Sequence, residues 1–206
     1  MSGVSFTPLT PWLLFDYGEV LCLAPSLEER DDFERALSDV MAPHELWPRY
    51  WAERLEYDRG TVSTLHYWHR VLGIEVSEER VDEIHRADIA MWSHPNQATL
   101  DYVDRARQVG YRLALLSNAP APFGDVFDQF GWLEAFEPRI FSGRLGLVKP
   151  NDAIFHECLG LMNASPDEVT FIDDREDNVE TARRLGISAV HFRDPGQLEA
   201  LVDEKS

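Results

Sequence analysis

Short apolar runs alternate with longer amphipathic stretches over most of this chain. The first apolar run, residues 11–17, has the length of a buried strand and ends at residues typical of a turn, Asp16 and Gly18. Runs of strand length recur further along the chain. They cover residues 111–116, 140–141, 169–172 and 188–192.

Helical periodicity fills the intervals between the later predicted strands. Residues 98–108 form an amphipathic stretch closed by Gly110, and residues 178–185 form another closed by Gly186. A third helical stretch covers residues 152–161. Repeated strand–helix units favour a parallel sheet covered by helices on both faces. We therefore predict an α/β fold with a Rossmann-like core.

The stretch that follows the first strand has a different pattern. From about residue 26 to residue 93 the sequence is charged and helix-periodic, with no run of strand length. This pattern predicts an all-helical cap, residues 25–93, inserted into the α/β core. The core then consists of residues 1–24 and 94–206.

Composition limits the classes of partner. The 206 residues include 19 Lys and Arg against 37 Asp and Glu, for a formal net charge of −18. Such a surface disfavours nucleic acid and anionic membranes, which bind clustered basic residues. No apolar run approaches the length of a membrane span, and we expect a cytoplasmic protein. Cys22 and Cys158 have no paired spacing, so both are predicted to be reduced core residues.

Candidate chemistry falls where the predicted strands end. Asp16 follows the first strand, Ser117 the second, and Asp173 and Asp174 the strand at 169–172, while Lys149 precedes a helix. In open α/β sheets the carboxyl ends of the strands line the ligand crevice. Each residue alone has an ordinary role, as a turn former, a helix entrance or a solvated charge. Together they suggest a site, because adjacent carboxylates repel unless a cation or a lysine compensates them.

Four segments in this order resemble the motifs of the haloacid dehalogenase-like superfamily. They are FDYGEVL at 15–21, LSN at 116–118, VKP at 148–150 and FIDD at 171–174. The resemblance covers nearly the whole chain. The insertion, including YDRGTV at 57–62, resembles the helical cap of the subgroup that carries its cap between the first two motifs. The resemblance implies a hydrolase that acts on a small phosphorylated metabolite.

The resemblance also implies a magnesium site and a nucleophile. Asp16 would attack phosphorus and form an aspartyl-phosphate, which divides one difficult displacement into two easier ones. Mg²⁺ would be held by Asp16, the main-chain carbonyl of Gly18 and Asp174, with Asp173 as a direct or water-mediated ligand.

The remaining motif residues are implied to bind the phosphoryl group. Ser117 and the main-chain N–H of Asn118 would hold its oxygens, and Lys149 would offset the negative charge on phosphate and on Asp16. Tyr17, beside the nucleophile, is a candidate for substrate contact. Seven aromatic residues of the cap either stack on a sugar or fill the cap's own core. They are Trp47, Tyr50, Trp51, Tyr57, Tyr67, Trp68 and Trp92.

One position departs from the family pattern. Phosphatases of this family usually carry a second Asp two residues after the nucleophile, where it protonates the leaving oxygen, and here that position is Gly18. Glu19 is the nearest alternative carboxylate. Without a general acid, leaving groups of low pKa are favoured. Some members that resemble this chain, with Gly at this position, are sugar-phosphate phosphatases, so the resemblance implies a sugar phosphate as substrate. The low pKa of an anomeric hydroxyl favours sugar 1-phosphates in particular.

Two other functions remain open at this stage. A 2-haloacid dehalogenase also uses an Asp nucleophile without the second Asp, although the pair Asp173 and Asp174 suits a cation that such a reaction does not need. A catalytically weak binding or regulatory protein on the same fold is the second alternative. A signalling receiver domain is disfavoured, because its acidic pair precedes the phosphorylated Asp. The oligomeric state is not indicated by the sequence.

Overall fold

The computed structural model describes residues 12–199, and its centre is a five-stranded parallel sheet. The strands are β1 (Trp12–Phe15), β2 (Arg112–Ser117), β3 (Arg139–Phe141), β4 (Val169–Asp173) and β5 (Ser188–His191). Their order in the sheet is β3-β2-β1-β4-β5, and every pairing is parallel. The predicted Rossmann-like α/β fold is confirmed. Pro11, in the predicted first strand, lies outside the described residues.

Helices account for the insertion after β1, as predicted. Its four helices are α1 (Leu27–Ala36), α2 (Pro43–Asp58), α3 (Thr64–Leu72) and α4 (Glu78–Met91), and residues 27–91 are called the helical insertion below. Serines determine where three of them begin. The side chains of Ser26, Ser63 and Ser77 each accept a hydrogen bond from a main-chain N–H in the first turn of α1, α3 and α4.

The remaining helices cover the sheet. They are α5 (Gln97–Gln108), α6 (Ala121–Phe127), α7 (Ser142–Leu145), α8 (Asp152–Met162) and α9 (Glu176–Arg184), with 3₁₀ turns at Gly131–Leu133, Pro166–Glu168 and Pro195–Leu198. The short helices α6 and α7 were not predicted, because seven and four residues are too few to show a helical period. The predicted boundaries of α5, α8 and α9 differ from the observed ones by one or two residues.

Alternation along β1 divides the apolar core between the two faces of the sheet. Leu13 and Phe15 pack with the cluster that includes the buried residues of the helical insertion, whereas Trp12 and Leu14 pack with the cluster that includes α8. The insertion therefore shares one continuous core with the sheet. Its separation from the core as an independent domain, with the boundaries given above, stays a prediction.

A tight junction joins the end of α2 to the loops of the sheet. The hydroxyl of Ser142 donates a hydrogen bond of 2.5 Å to the carbonyl of Asp58 and accepts one of 2.9 Å from the main-chain N–H of Ala119. Gly60 has a φ of 78°, and a Cβ atom there would collide with the backbone of Gly143. These contacts fix Asp58 next to the loop that follows β2.

Two further observations concern the cysteines and the length of the apolar helices. Cys22 and Cys158 are both buried and unpaired with each other, as expected for reduced core residues. Among residues 12–199, no helix combines the length and apolar character needed to cross a bilayer.

Candidate active site

Strand register brings the first and last motifs together. Phe15 is level with Ile172 in the parallel pairing of β1 with β4, so the next residues, Asp16 and Asp173, leave the sheet side by side. The main-chain N–H of Asp16 donates to the carbonyl of Ile172 at 2.8 Å, which continues the ladder by one bond. Both carboxylates therefore lie at the carboxyl edge of the sheet.

Lys149 connects these two carboxylates. Its Nζ atom lies 2.7 Å from Oδ1 of Asp16 and 2.7 Å from Oδ2 of Asp173, and it donates a third bond of 3.0 Å to the carbonyl of Leu116. Only 2% of Lys149 is exposed. Burial lowers the pKa of Lys149, but the two carboxylates outweigh this effect and raise it overall. Lys149 is therefore held as a charged residue at the centre of the site.

Asp173 is fully buried and surrounded by donors. Besides Lys149, it accepts bonds from the side-chain amide of Asn178, at 2.9 and 3.0 Å, and from the main-chain N–H of Arg175 at 2.8 Å. From the sequence, Asn178 could either support the acidic loop or cap the following helix, and capping is the role we expect. This was wrong, because α9 begins at Glu176 and the amide of Asn178, inside its first turn, points back to Asp173. Asn178 supports the acidic loop instead.

Three carboxylates form a cluster suited to a metal ion. Ligand atoms of Asp16, Asp173 and Asp174 all lie within 4.8 Å of one another. Asp174 is only partly buried, and burial, followed by the charges of Asp173 and Glu19, raises its pKa. Carboxylate oxygens at this spacing match the preference of a hard divalent cation. The acidic cluster could hold such an ion.

The electrostatic environment of Asp16 also favours a bound cation. Burial raises its pKa to about 8, Lys149 opposes this rise, and the charges of Asp173 and Asp174 add to it. A cation bound at the cluster would stabilise the ionised carboxylate. The main-chain N–H of Tyr17 also contacts Oδ1 of Asp16, at 2.7 Å. Asp16 is thus held in a fixed orientation in a site where three carboxylates surround one ammonium group.

Asp16, Lys149 and Asp174 line a cavity of about 510 Å³. Its floor is formed by the ends of the strands and the loops that follow them, and it includes Asp16, Gly18, Ser117, Asn118, Lys149 and Asp174. Residues of the helical insertion form the facing wall. They are Trp51, Arg54, Leu55 and Asp58, with Trp92 just beyond the insertion. A volume of this size is typical of a small-molecule site.

The structure brings the predicted phosphate-binding residues to this floor. Ser117 is 4% exposed and lies in the cavity lining. The side chain of Asn118 clamps the backbone of Lys149, accepting from its N–H at 2.8 Å and donating to its carbonyl at 2.9 Å. Asn118 therefore positions Lys149, while the role of its own main-chain N–H stays a prediction.

Tyr17 and Gly18 also lie in the cavity lining. The ring of Tyr17 is stacked on Phe127 with centroids 4.2 Å apart, and its hydroxyl donates to the carbonyl of Trp92 at 2.6 Å. These contacts fix Tyr17 between the sheet and the junction with the insertion. Its contact with substrate stays a prediction, as does the metal-ligand role of the Gly18 carbonyl.

The aromatic residues of the insertion divide into two groups. Tyr50, Tyr57, Tyr67 and Trp68 are no more than 1% exposed and fill the interior of the insertion. Trp51, by contrast, is 52% exposed and faces the cavity. Its ring centroid lies 6.4 Å from that of Trp92 in an edge-on arrangement. Trp51 and Trp92 line the cavity, whereas Trp47 packs against Phe33 and donates to Glu34.

Two charged residues of the cavity wall were not predicted to belong to a site. Arg54 and Asp58 are both buried, and Nε of Arg54 donates to Oδ1 of Asp58 at 2.7 Å. Nη1 of Arg54 also contacts the hydroxyl of Tyr50 and lies 3.6 Å from Oδ2 of Asp88. The i, i+4 spacing of Arg54 and Asp58 in α2 was visible in the sequence. It is equally typical of exposed helix pairs, so the spacing alone did not indicate a site.

Solved structures with the same fold cover most of this chain. A predicted HAD-like family hydrolase from Porphyromonas gingivalis is 27% identical, with a TM-score of 0.66 over 88% of this chain and 90% of the other. A HAD family enzyme from Bacteroides thetaiotaomicron, in complex with magnesium and inorganic phosphate, is 22% identical with a TM-score of 0.71. The match covers 91% of this chain and 98% of that enzyme. L-2-haloacid dehalogenase from Xanthobacter autotrophicus is 18% identical with a TM-score of 0.65, and the match covers 87% of this chain and 76% of the dehalogenase. The last two show the fold alone.

Sequence comparison identifies the family. Bifunctional epoxide hydrolase 2 from Mus musculus is 26% identical over 100 residues, which is 46% of this chain but 18% of that relative. The chain thus matches less than a fifth of the relative's length. A family model for haloacid dehalogenase-like hydrolases matches residues 11–186, which include all four motifs. The chain belongs to the haloacid dehalogenase-like hydrolase family.

Proposed function

We propose that this hydrolase is a magnesium-dependent phosphatase that cleaves a small phosphomonoester through an aspartyl-phosphate on Asp16. The main support is the convergence of Asp16, Lys149 and the acidic cluster at one end of a single cavity. A buried carboxylate in contact with a buried ammonium, and close to two further carboxylates, suits phosphoryl transfer. That reaction depends mainly on positioning and charge stabilisation.

The donor set fits Mg²⁺. Asp16 and Asp174 would be direct ligands together with the carbonyl of Gly18, while Asp173 would act through water or as an additional ligand. Asp173 already accepts bonds from Lys149, Asn178 and Arg175, which favours the water-mediated role. When bound, the metal ion would neutralise charge on the phosphoryl oxygens and on the nucleophile.

The residues of the chain then have distinct tasks. Asp16 forms the new O–P bond while the bond to the leaving oxygen breaks, and water later cleaves the aspartyl-phosphate. Ser117 and the main-chain N–H of Asn118 hold phosphoryl oxygens, and Lys149 holds Asp16 in place while it balances charge. The helical insertion covers the floor of the cavity and acts as a cap that excludes water and contacts the leaving group.

Sugar phosphates are the proposed substrate class, with Trp51, Trp92 and Tyr17 as candidate contacts. A sugar 1-phosphate has the better leaving group because an anomeric hydroxyl has a lower pKa than a primary one, so sugar 1-phosphates are expected substrates. Parallel assays of sugar 1-phosphates and sugar 6-phosphates test this choice. A clear preference for the 6-phosphates would count against it. A cytoplasmic location is part of the same proposal.

A panel of phosphorylated metabolites, assayed with Mg²⁺ and with EDTA, tests the proposal as a whole. We expect phosphate release that requires Mg²⁺ and disappears in Asp16→Asn, which keeps the size of the side chain but removes its nucleophilic charge. Trapping of a beryllium fluoride adduct on Asp16 would be independent support. Phosphate release that survives Asp16→Asn would exclude the proposed nucleophile.

A 2-haloacid dehalogenase is the second candidate, because one of the structural neighbours is such an enzyme. The pair Asp173 and Asp174 argues against it, since attack by a carboxylate on carbon needs no cation. Halide release from 2-haloacids in the presence of EDTA would favour this alternative. A binding or regulatory protein on the same fold would give neither product.

A further inference from the structure

We propose that the carboxyl group of Asp58, supplied by the helical insertion, is the general acid and base that replaces the Asp missing at position 18. This assignment rests on the proposed phosphatase function. It concerns the proton that must reach the leaving oxygen, which none of the residues placed above supplies.

The position of Asp58 in the cavity is the first argument. In-line attack by Asp16 puts the leaving oxygen on the far side of phosphorus, away from the sheet and toward the facing wall. Among the described residues of the helical insertion that line this wall, Asp58 is the one carboxyl group. The other three are Trp51, Leu55 and Arg54, and none of these is suited to exchange a proton near neutral pH.

The second argument is that Asp58 is rigidly held. Its main-chain carbonyl is bonded to Ser142, which also binds Ala119, two residues after the proposed phosphate-binding Ser117. Its carboxylate is oriented by Nε of Arg54 at 2.7 Å. A general acid must be held at a fixed distance from the proton acceptor, and this junction connects Asp58 directly to the floor of the site.

The electrostatic setting is compatible with this role. Burial raises the pKa of Asp58 to about 6, against the lowering effects of Arg54 and Lys149. The nearby carboxyl of Asp88 also has a pKa raised to about 6, by burial. A carboxyl group in this range exchanges its proton readily near neutral pH.

Both steps balance with Asp58 as proton donor and acceptor. In the first step, Asp16 forms its bond to phosphorus, the P–O bond to the leaving group breaks, and the Asp58 carboxylic acid protonates the departing oxygen. In the second step, the Asp58 carboxylate takes a proton from water as the water oxygen attacks phosphorus. The bond from phosphorus to Asp16 then breaks, phosphate leaves, and Asp58 is again protonated.

Glu19 is the competing carboxyl group in the cavity lining. It is exposed, and its charge acts on Asp174 at the acidic cluster rather than on residues of the facing wall. A carboxylate on that side of the floor is well placed to interact with the metal site. It is poorly placed to reach an oxygen that leaves toward the insertion.

The test compares two leaving groups in Asp58→Asn, which keeps the main-chain bond to Ser142. kcat/KM reports phosphoryl transfer to Asp16. For a sugar 6-phosphate, whose alcohol is a poor leaving group, we expect kcat/KM to fall by about 10²–10⁴-fold. For p-nitrophenyl phosphate we expect kcat/KM to fall by less than about tenfold. p-Nitrophenol should then appear as a burst of one equivalent per site, because hydrolysis of the aspartyl-phosphate is slowed.

Asp88→Asn is the matched control. Asp88 belongs to the same Arg54 cluster and is buried, but it is absent from the cavity lining, so its substitution should affect both substrates equally. Equal losses for both substrates in Asp58→Asn, or the leaving-group pattern in Asp88→Asn or Glu19→Gln, would overturn the assignment.

A measurement on the wild-type protein avoids the risk that a variant fails to fold. A shallow dependence of kcat/KM on leaving-group pKa, across aryl and alkyl phosphates, supports an acid at Asp58, and a steep dependence overturns it. Failure of the assignment is distinguishable from failure of the phosphatase proposal. Wild-type protein that cannot hydrolyse p-nitrophenyl phosphate with Mg²⁺, or Asp16→Asn that still can, overturns both.

Discussion

The Nζ atom of Lys149 lies 2.7 Å from Oδ1 of Asp16, with 1% and 10% of the two side chains exposed. The same Nζ is 2.7 Å from Oδ2 of Asp173. One buried ammonium group thus contacts two buried carboxylates. Charges in such an environment are tolerated only when they are paired, so this contact connects the stability of the fold to the chemistry of the site.

Removal of this ammonium group should destabilise the protein. In Lys149→Met two buried carboxylates lose their partner, and we expect the free energy of unfolding to fall by about 3–5 kcal/mol at pH 8 in EDTA. The proposed phosphatase activity should disappear as well. Urea unfolding followed by circular dichroism measures the loss.

Arg184→Met is the control for Lys149→Met. It removes an exposed pair with Asp152, and no measurable change in stability is expected. An unfolding free energy for Lys149→Met equal to that of the wild type would show that the contact with Asp16 is not a significant part of the fold.

Metal binding can be measured without any assay of activity. We expect calorimetric titration with Mg²⁺ to show a single site that disappears in Asp174→Asn. Asn178→Ala should bind about 10–100-fold more weakly, because Asn178 orients Asp173 through two hydrogen bonds. Asp177→Asn is the control, since Asp177 is outside the acidic cluster. Unchanged affinity in Asp174→Asn would contradict the ligand assignment.

The sequence was sufficient to place the floor of the site. Asp16, Ser117 and Asp173 each follow an apolar run, and parallel strands end at one edge of a sheet, so these residues had to be close to one another if the fold was right. The pairing register of β1 with β4 satisfies this condition. Strand ends are predictable because apolar runs stop there.

The facing wall could not be predicted in the same way. The charged pair Arg54 and Asp58 has a spacing shared by many exposed helix pairs, and only the packing of α2 against α7 places it in a cavity. Asn178 was misassigned for a related reason. An Asn near a helix start can cap the helix or reach a neighbouring loop, and the choice depends on what lies opposite.

Restoration of the family carboxylate at position 18 is a further prediction. Among the described residues, the ring of Trp92 is what a Cβ atom added to Gly18 would meet, at an ordinary distance of 3.7 Å, so there is room for a Cβ atom at this position. We expect Gly18→Asp to raise kcat/KM for sugar 6-phosphates. When the same substitution is added to Asp58→Asn, we expect kcat/KM to rise by up to about 10²-fold. Gly18→Asn, of equal size but without an acid, is the control. Equal rates in the two Gly18 variants would rule out proton transfer from this position.

His85 predicts how stability depends on pH. Neither of its ring nitrogens has a partner among the described residues, and its ring lies 5.3 Å from that of Phe123. Burial, followed by the charge of Arg54, lowers its pKa from 6.5 to about 4. Between these values the unfolded chain binds a proton that the folded protein does not. The stability that His85 contributes is therefore complete above pH 6.5 and is lost as the pH falls toward 4.

His85→Leu should remove this part of the acid sensitivity. We compare the free energy of unfolding of the variant with that of the wild type at each pH. The difference, variant minus wild type, should be about 2 kcal/mol larger at pH 4.5 than at pH 7.5, after allowance for the partial exposure of His85. Urea unfolding at the two pH values measures the gain. His44→Leu, at an exposed position of α2, is the matched control. A difference between His85→Leu and wild type that does not change with pH would mean that His85 takes up its proton equally well in the folded and the unfolded chain.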